Sequence, residues 1–362
     1  MPYGFAAYNR EPHPEIPGNL RKHVRMEYDA FLLVSFGGPE RREDVLPFLE
    51  NVLRGRNVPR ERMLTVAEHY YHFGGVSPIN EQNRELLAAL KEEFASAGLE
   101  LPQYWGNRNW YPLLPDTLAQ MKADGVRHAI AFFTSAFSSY SGCRQYRENV
   151  AAAQQTVGDG APQIDKLRAF YNHPGFIEPM IERVRAAIEQ VSPSRRAAAK
   201  VIYTAHSIPL TMADRCRYAD QLAEAAGLVS AGLGLSDYTI AYQSRSGPPD
   251  QPWLEPDILD AIRTLHTTGK KSDIVIVPIG FLSDHVEILY DLDVEARRLC
   301  DELGINMVRA ATVGSHPGFV EMIRELIQER LGTAQPRWLG TFGPSHDVCP
   351  ADCCLPGPVR PR

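Results

Sequence analysis

Asp273–Phe281 reads DIVIVPIGF, and Ser283–Glu295 just beyond it reads SDHVEILYDLDVE. An apolar run without alternation that breaks at a glycine predicts a parallel strand covered on both faces. The second stretch changes period, and a helix is expected over His285–Leu303. At roughly 100° per residue, Asp284, Glu287, Asp291 and Glu295 share an arc of about 80°, and Asp293 points away. Like charges four residues apart cost a helix roughly 0.2–0.5 kcal/mol per pair, so this line opposes the helix unless a cation sits near it. Hard oxygen donors suit Mg²⁺, Mn²⁺ or incoming Fe²⁺. A solvated acidic face capped at Asp284 would account for the same residues.

Similar runs lie upstream. Ala30–Phe36 (AFLLVSF) stops at Gly37-Gly38-Pro39, and Val126–Ser135, Lys200–Ala205 (KVIYTA) and Tyr238–Gln243 follow. Helical spacing fills the intervals over Asn83–Ala97, Thr117–Asp124, Pro174–Gln190, Ala213–Leu228, Glu255–Thr268 and Pro317–Leu331. Strands alternating with helices predict an α/β fold with parallel sheets and right-handed crossovers. There is an internal echo: His173-Pro-Gly-Phe176 opens one helical stretch, and His316-Pro-Gly-Phe319 opens another 143 residues later. Coincidence explains it, and so do two similar α/β halves, with a ligand site in the cleft between them.

The chain has 362 residues, 44% apolar and 23% charged, with net charge −6. That is enough for two domains and too acidic for a nucleic-acid binder. No apolar run reaches the ~20 residues that span a bilayer. The first residues, MPYGFAAYNREPHPEIPG, lack the charged and apolar regions of a secretory signal. They read as a flexible arm over 1–27, and the cytoplasm is the expected location. Structural disulfides are not expected there, so the six cysteines need another explanation.

Three of them form Cys349-Pro-Ala-Asp-Cys353-Cys354 in a tail over 346–362. Adjacent cysteines bond each other only with strain, and three close thiols suggest a soft metal. Cys143, in SSYSGCRQY, would supply the fourth ligand from an accessible loop. Spacing leaves zinc and an iron–sulfur cluster both open. Cys216 and Cys300 fall in helical patterns and read as buried small apolar groups. His206, in TAHSIP, follows the strand Lys200–Ala205, at the edge where open α/β sheets bind ligands. A loop histidine satisfied by a carbonyl is the plainer account of it alone. Weaker signals for a flat ligand are Trp253 in a Pro/Gly-rich loop, the aromatic loop Tyr70–Gly75, and Arg54 and Arg56 as carboxylate clamps. Dinucleotide and phosphate loops and a serine elbow are absent.

Together these stretches resemble the ferrochelatase family. FLLVSFGGPE, GGVSPIN, AFFTSAFSSYSGCRQY, TAHSIP, YQSRSGPPDQPWLEPDI and VPIGFLSDHVEILYDLDVEA occur in order between about Tyr28 and Leu331. The resemblance implies two similar flavodoxin-like (Rossmann-like) domains with parallel sheets and an interdomain tetrapyrrole cleft. The domains would cover 28–158 plus 310–345, and 159–309. It implies Fe²⁺ insertion into a porphyrin in heme biosynthesis, with His206 and Glu287 catalytic and Glu287, Asp291 and Glu295 leading inward. Neighbouring carboxylates would raise one another's pKa and let Glu287 shuttle protons. The four cysteines would hold a 2Fe–2S cluster, with tail spacing that looks like the actinobacterial type.

Two departures matter. Phe36 stands where many soluble members have a metal-ligating tyrosine, so no protein ligand is expected from that side. Pro47–Phe73 is charge-rich, without the membrane-docking lip of animal members. That favours coproporphyrin III over protoporphyrin IX, with Phe36, Arg54, Ser77, Tyr146 and Trp253 against the ring and its propionates. Fe²⁺, the porphyrin and a downstream heme-pathway enzyme would be the partners, with no nucleic acid and no stable membrane insertion. Rival expectations are a non-catalytic porphyrin or metal carrier, a cobalt or nickel chelatase, and an iron–sulfur sensor.

Overall fold

The computed structural model describes residues 28–55, 58–247, 250–268 and 273–357. The arm over 1–27, Arg56 and the last residues of the tail lie outside them. The strands are β1 (Ala30–Ser35), β2 (Gln103–Asn107), β3 (His128–Phe133), β4 (Gln163–Lys166), β5 (Lys200–His206), β6 (Tyr238–Gln243), β7 (Ile274–Val277) and β8 (Met307–Arg309). They form two four-stranded parallel sheets of the same order, β2-β1-β3-β4 and β6-β5-β7-β8. Each starts in its middle and grows to both edges, the doubly wound pattern of parallel α/β domains.

The central strands were legible and the edges were not. All six residues of β1 are buried, whereas β2 (QYWGN), β4 (QIDK) and the three-residue β8 carry polar or half-exposed positions. A strand with one covered side needs no apolar run. Since β4 adds to the first sheet, that sheet extends beyond the boundary expected at residue 158.

The helices are α1 (Val45–Val52), α2 (Arg60–His72), α3 (Ile79–Ser96), α4 (Leu114–Ala123), α5 (Gln145–Val157), α6 (Pro174–Glu189), α7 (Leu210–Ala213), α8 (Tyr218–Gly232), α9 (Ile258–Thr267), α10 (Val286–Ile288), α11 (Arg297–Leu303) and α12 (Pro317–Arg330). Two π-helical turns, Tyr140–Arg144 and Leu289–Ala296, run into α5 and α11. Three expectations are corrected here. Tyr70, Tyr71 and His72 end α2 instead of forming a loop, because Met63, Ala67 and Tyr70 make a buried stripe. Cys143 lies on the first π turn, half-buried, not on an open loop. The acidic stretch is not a continuous α-helix: it widens after Ile288, and the Arg297 N–H reaches back five residues to Leu292.

The two HPGF turns have a shared purpose. His173 Nδ1 accepts from Gly175 N–H at 3.0 Å, and His316 Nδ1 accepts from Gly318 N–H at 3.2 Å, so each imidazole caps the helix it opens. The helices then cross between halves. α6 follows the first sheet yet packs on β7, β8 and α8, while α12 follows the second sheet and packs on α3; the two also pack on each other. Phe176 and Phe319, the turn phenylalanines, are fully buried with ring centres 6.5 Å apart. The largest core cluster therefore runs through both sheets.

Candidate functional site

Two strand ends build the site. His206 is the last residue of β5 and pairs with Gln243 of β6, while β7 stops three residues short of it, at Val277 opposite Tyr203. Gly280 makes the approach possible: a Cβ there would lie 2.5 Å from Ala205 Cβ. His206 Nδ1 is bonded to the Ser207 carbonyl, which accepts, so Nδ1 carries the proton. That leaves the Nε2 lone pair open for a proton or a metal. Tyr218 donates to the His206 carbonyl at 3.0 Å. The segment after His206 is braced by the Trp253 loop, through Leu254 N–H to Ile208 at 3.0 Å and Ser207 Oγ to Leu254 O at 2.9 Å.

The acidic stretch is held at its start by both halves. Arg309 donates to Asp284 at 2.7 Å and to Asp293 at 2.8 and 3.0 Å. Gln82 of α3 clasps the Asp284 main chain, accepting its N–H at 2.9 Å and donating to its carbonyl at 3.4 Å. Asp284 thus belongs to an ion pair and stands apart from the line. Val286 and Ile288 are buried and leave Glu287 between them exposed. From the other half, His69 of α2 stacks on Tyr290 with ring centres 3.6 Å apart and planes 8° apart.

The electrostatics single out Asp291. Burial, with the negative charges of Glu287 and Glu295, pushes its carboxyl up to about 7, although Ser244 and Gln243 hydrogen-bond it. Ser244 holds a left-handed backbone, φ 60°, to reach it. Glu295 is raised too, by burial and then by Asp257. His285 is pushed down by burial, against Glu287, and His206 adds to the lowering. Burial likewise lowers His69, with Glu287 opposing. The result is a set of neutral imidazoles and an easily protonated carboxyl around Glu287.

The structure brings His206, Glu287, Asp291 and Glu295 to one sheet edge and adds His285, Gln243, Ser244 and Arg309, which sequence reasoning missed. His285 was readable: it is a third titratable group inside SDHVE. Gln243 was read only as the end of a strand, and Ser244 only as part of the stretch YQSRSGPPDQPWLEPDI.

The expected porphyrin contacts divide. Arg54 is exposed, its guanidinium on Asn51 Oδ1 at 2.5 Å. Phe36 is half-buried against Phe48 at 6.2 Å. Ser77, Tyr146 and Trp253 are buried: Ser77 against Gly38, Tyr146 under the Arg108 guanidinium at 4.4 Å, Trp253 beneath Gly247. A groove of about 850 Å³ between α3 and β2 lies outside this site, and Lys91 and Glu100 are its only charged residues.

The cysteines gather separately. Ser139 caps the π turn by accepting from Gly142 N–H at 2.9 Å, which presents Cys143. Arg144 fixes the tail, donating to Ala351 O at 2.7 Å and Cys353 O at 3.1 Å. The Cys143 thiol bonds Cys349, and Cys353 Sγ lies 3.5 Å from Cys354 Sγ. That hydrogen bond, with Lys166 and Arg147 nearby, holds Cys349 down at about 4 despite its burial. Burial raises Cys353, and lifts Cys354 to about 12. Cys216 is not merely packing, since it lies close enough to act on Cys353 and Cys354. His346, Cys349 and Cys353 bring their donor atoms within 4.8 Å of one another, with Cys143 beside Cys349 and Cys354 beside Cys353, a donor set that fits a soft-metal group.

A doubly wound pair of sheets with histidines and carboxylates at one strand edge defines a metal-handling α/β protein. The ferrochelatase family profile matches residues 28–331, and the chain belongs to that family. A ferrochelatase of Rhodopirellula baltica is 61% identical over 92% of this chain and 95% of its own length. A coproporphyrin III ferrochelatase of Streptomyces griseus is 48% identical over 90% of this chain and 93% of its own. Among solved structures, SirB from Bacillus subtilis with Fe³⁺ aligns with TM-score 0.51 at 13% identity, over 85% of this chain and 98% of its own, a likeness of fold. The chain is therefore a porphyrin metal chelatase, a lyase whose substrates are Fe²⁺ and a porphyrin. No described helix is long and apolar enough to cross a membrane.

Proposed function

We propose that this chain inserts Fe²⁺ into coproporphyrin III to give Fe-coproporphyrin, with His206 and Glu287 facing the macrocycle centre. The observation that carries the reading is the meeting of His206, His285, Glu287 and a carboxyl at about 7, Asp291, on one edge of the second sheet. Insertion must remove two pyrrole protons as the iron sheds water. A tight cleft can bend the ring, exposing nitrogen lone pairs, at the cost of binding energy gained elsewhere on it. The His206 Nε2 takes a pyrrole proton, and Glu287 meets the metal. Asp291 and Glu295 then carry protons out or iron in, since a carboxyl near 7 exchanges protons readily at neutral pH.

Coproporphyrin III is favoured by the polar entrance. Exposed Arg54 and the charged first turn of α2, Arg60 to Arg62, offer partners for four propionates. Several relatives near 47% identity are named coproporphyrin III ferrochelatases. Anaerobic assays with Fe²⁺ and either coproporphyrin III or protoporphyrin IX, followed in the Soret and Q bands, test this. Faster turnover of protoporphyrin IX overturns the substrate, and porphyrin binding without turnover of either leaves a carrier.

We also infer that Cys143, Cys349, Cys353 and Cys354 hold a 2Fe–2S cluster, which when bound accepts one electron. A brown protein that bleaches on reduction supports it; a colourless protein from iron-replete anaerobic expression overturns it.

A further inference from the structure

Glu287 stands midway between two holds from the opposite half. Three residues before it, Gln82 of α3 clasps the Asp284 main chain. Three residues after it, Tyr290 lies face to face on His69 of α2, with ring centres 3.6 Å apart and planes 8° apart. His72, three residues further along α2, meets the same ring edge-on at 6.1 Å and 87°. Residues three apart are neighbours on a helical surface, so a grip on Tyr290 sets the face that carries Glu287. The Glu287 charge in turn acts on both His69 and Tyr70, which places the carboxylate near α2.

This contact is separate from the packing that holds α2 in its own half. The buried stripe of α2, Met63, Ala67 and Tyr70, joins a cluster with Val45, Phe48 and Leu49. His69 and Tyr290 are half-buried, and His72 is exposed. Two turns before His69 on the same face, Arg62 donates to the Gly247 carbonyl at 3.4 Å. One face of α2 thus serves the core, and another meets the second half at two points. Within that second half, Arg309 holds Asp284 and Asp293, and Gln243 and Ser244 hold Asp291. None of these three hydrogen-bonds the Glu287 carboxylate, so its aim depends on the chain around it and on what grips that chain.

We propose that His69 is a positioning residue for metal insertion: its stack on Tyr290 aims Glu287 from the opposite half, without His69 touching iron or porphyrin. The stack needs a flat ring and nothing from the ring nitrogens. A ring pair of this kind shifts an equilibrium by about two- to tenfold. A misaimed carboxylate costs rate rather than affinity, because the porphyrin keeps its other contacts and only the step at its centre suffers. The inference rests on Glu287 as the residue that meets the metal.

The test is anaerobic steady-state insertion of Fe²⁺ by the full chain, with whichever of coproporphyrin III and protoporphyrin IX turns over faster. His69→Ala should lower kcat about tenfold and leave the KM for porphyrin within about twofold of wild type. His69→Phe keeps a flat ring without nitrogens and should restore most of the rate, whereas His69→Gln should not. Tyr290→Ala should match His69→Ala, and the double variant should be no slower than either, since both remove one contact. Melting curves give the folded fraction of each variant, and the comparison of His69→Phe with His69→Gln stands if His69→Ala does not fold. Equal losses in those two variants would make the imidazole a ligand or base and overturn the proposal. So would a raised KM with kcat unchanged, normal kcat per folded molecule in His69→Ala, or losses that add in the double variant. A wrong role for Glu287 shows separately, as full activity in Glu287→Gln.

Discussion

Two places in this molecule gather histidines and carboxylates, and they are wired oppositely. At the helix crossing, Glu329 of α12 receives two hydrogen bonds from Arg168, at 2.7 and 3.1 Å, and Glu325 pairs with Arg337 at 2.5 Å. His173 Nε2 faces both glutamates at 3.5 and 3.7 Å. Burial alone would raise Glu329, but His173 and Arg168 override it and hold the carboxyl at about 2. At the edge of the second sheet, Asp291 has a hydroxyl and an amide instead of a guanidinium, and it rises to about 7. Arg309 is near, yet it is taken by Asp284 and Asp293. A buried carboxylate that ends on arginine is structure; one left without a cation is a place to receive protons or a cation.

The largest effect should come from the open site. His206→Ala and Glu287→Gln should each cut metal insertion by roughly 10²–10⁴-fold, the usual worth of a positioned acid or base. Thermal stability should hardly move, because Glu287 is exposed and His206 half-buried. Anaerobic Soret assays beside melting curves check this, and full activity in His206→Ala would refute its assignment. Next is the closed network. Arg168→Ala strands Glu329 in the core, which costs about 3–5 kcal/mol when one partner of a buried pair is removed. The loss should appear as a lower Tm with normal turnover per folded molecule.

Asp291→Asn sharpens the contrast because it should move stability and activity in opposite directions. A carboxyl raised in the fold favours the neutral form, so its contribution is intact below the unfolded value near 4 and is lost as pH rises through about 7. The asparagine variant should therefore melt like wild type near pH 4 and higher than wild type above pH 7. Each kcal/mol gained corresponds to about 2–4 °C. Activity should fall about a hundredfold, the lower end for a lost proton carrier, and the variant should lose any rate limb with an apparent pKa near 7. Glu329 has the reverse sign. Its contribution is present above the unfolded value near 4.3 and disappears as pH falls toward 2, so acid unfolding of wild type should begin there.

The sequence announced the open site more clearly than the closed one. His206 and Glu287 follow apolar central strands, and a carboxylate line on one helical face is a local pattern. The widening to a π turn was not legible, because the spacing of the acidic and apolar residues fits an ordinary helix as well. Nor was the fate of Asp284, whose arginine partner lies 25 residues later on an edge strand too short to give a pattern. The HPGF echo was visible, but its meaning was not. Only the crossing shows that His173 faces Glu325 and His316 faces Glu182, residues equivalent under the same offset of 143.

That last pair supplies the smallest and cleanest test. The two imidazoles cap their helices in the same way and face equivalent glutamates, yet His173 is fully buried and His316 is partly open, its side chain 18% exposed. His316 Nε2 meets Glu182 at 3.0 Å in an exposed pair worth at most about 1 kcal/mol. His316→Ala should thus lose little beyond the cap, about 1 kcal/mol. His173→Ala removes the same cap and also opens a hole beside Glu325 and Glu329, where Arg168 keeps the charges paired. It should cost about 2–3 kcal/mol, a cap plus the lost packing of a buried ring. Denaturant melts of both variants measure the gap between symmetric positions. Equal losses would mean that the symmetry of the turns, and not the burial around them, sets what each histidine contributes.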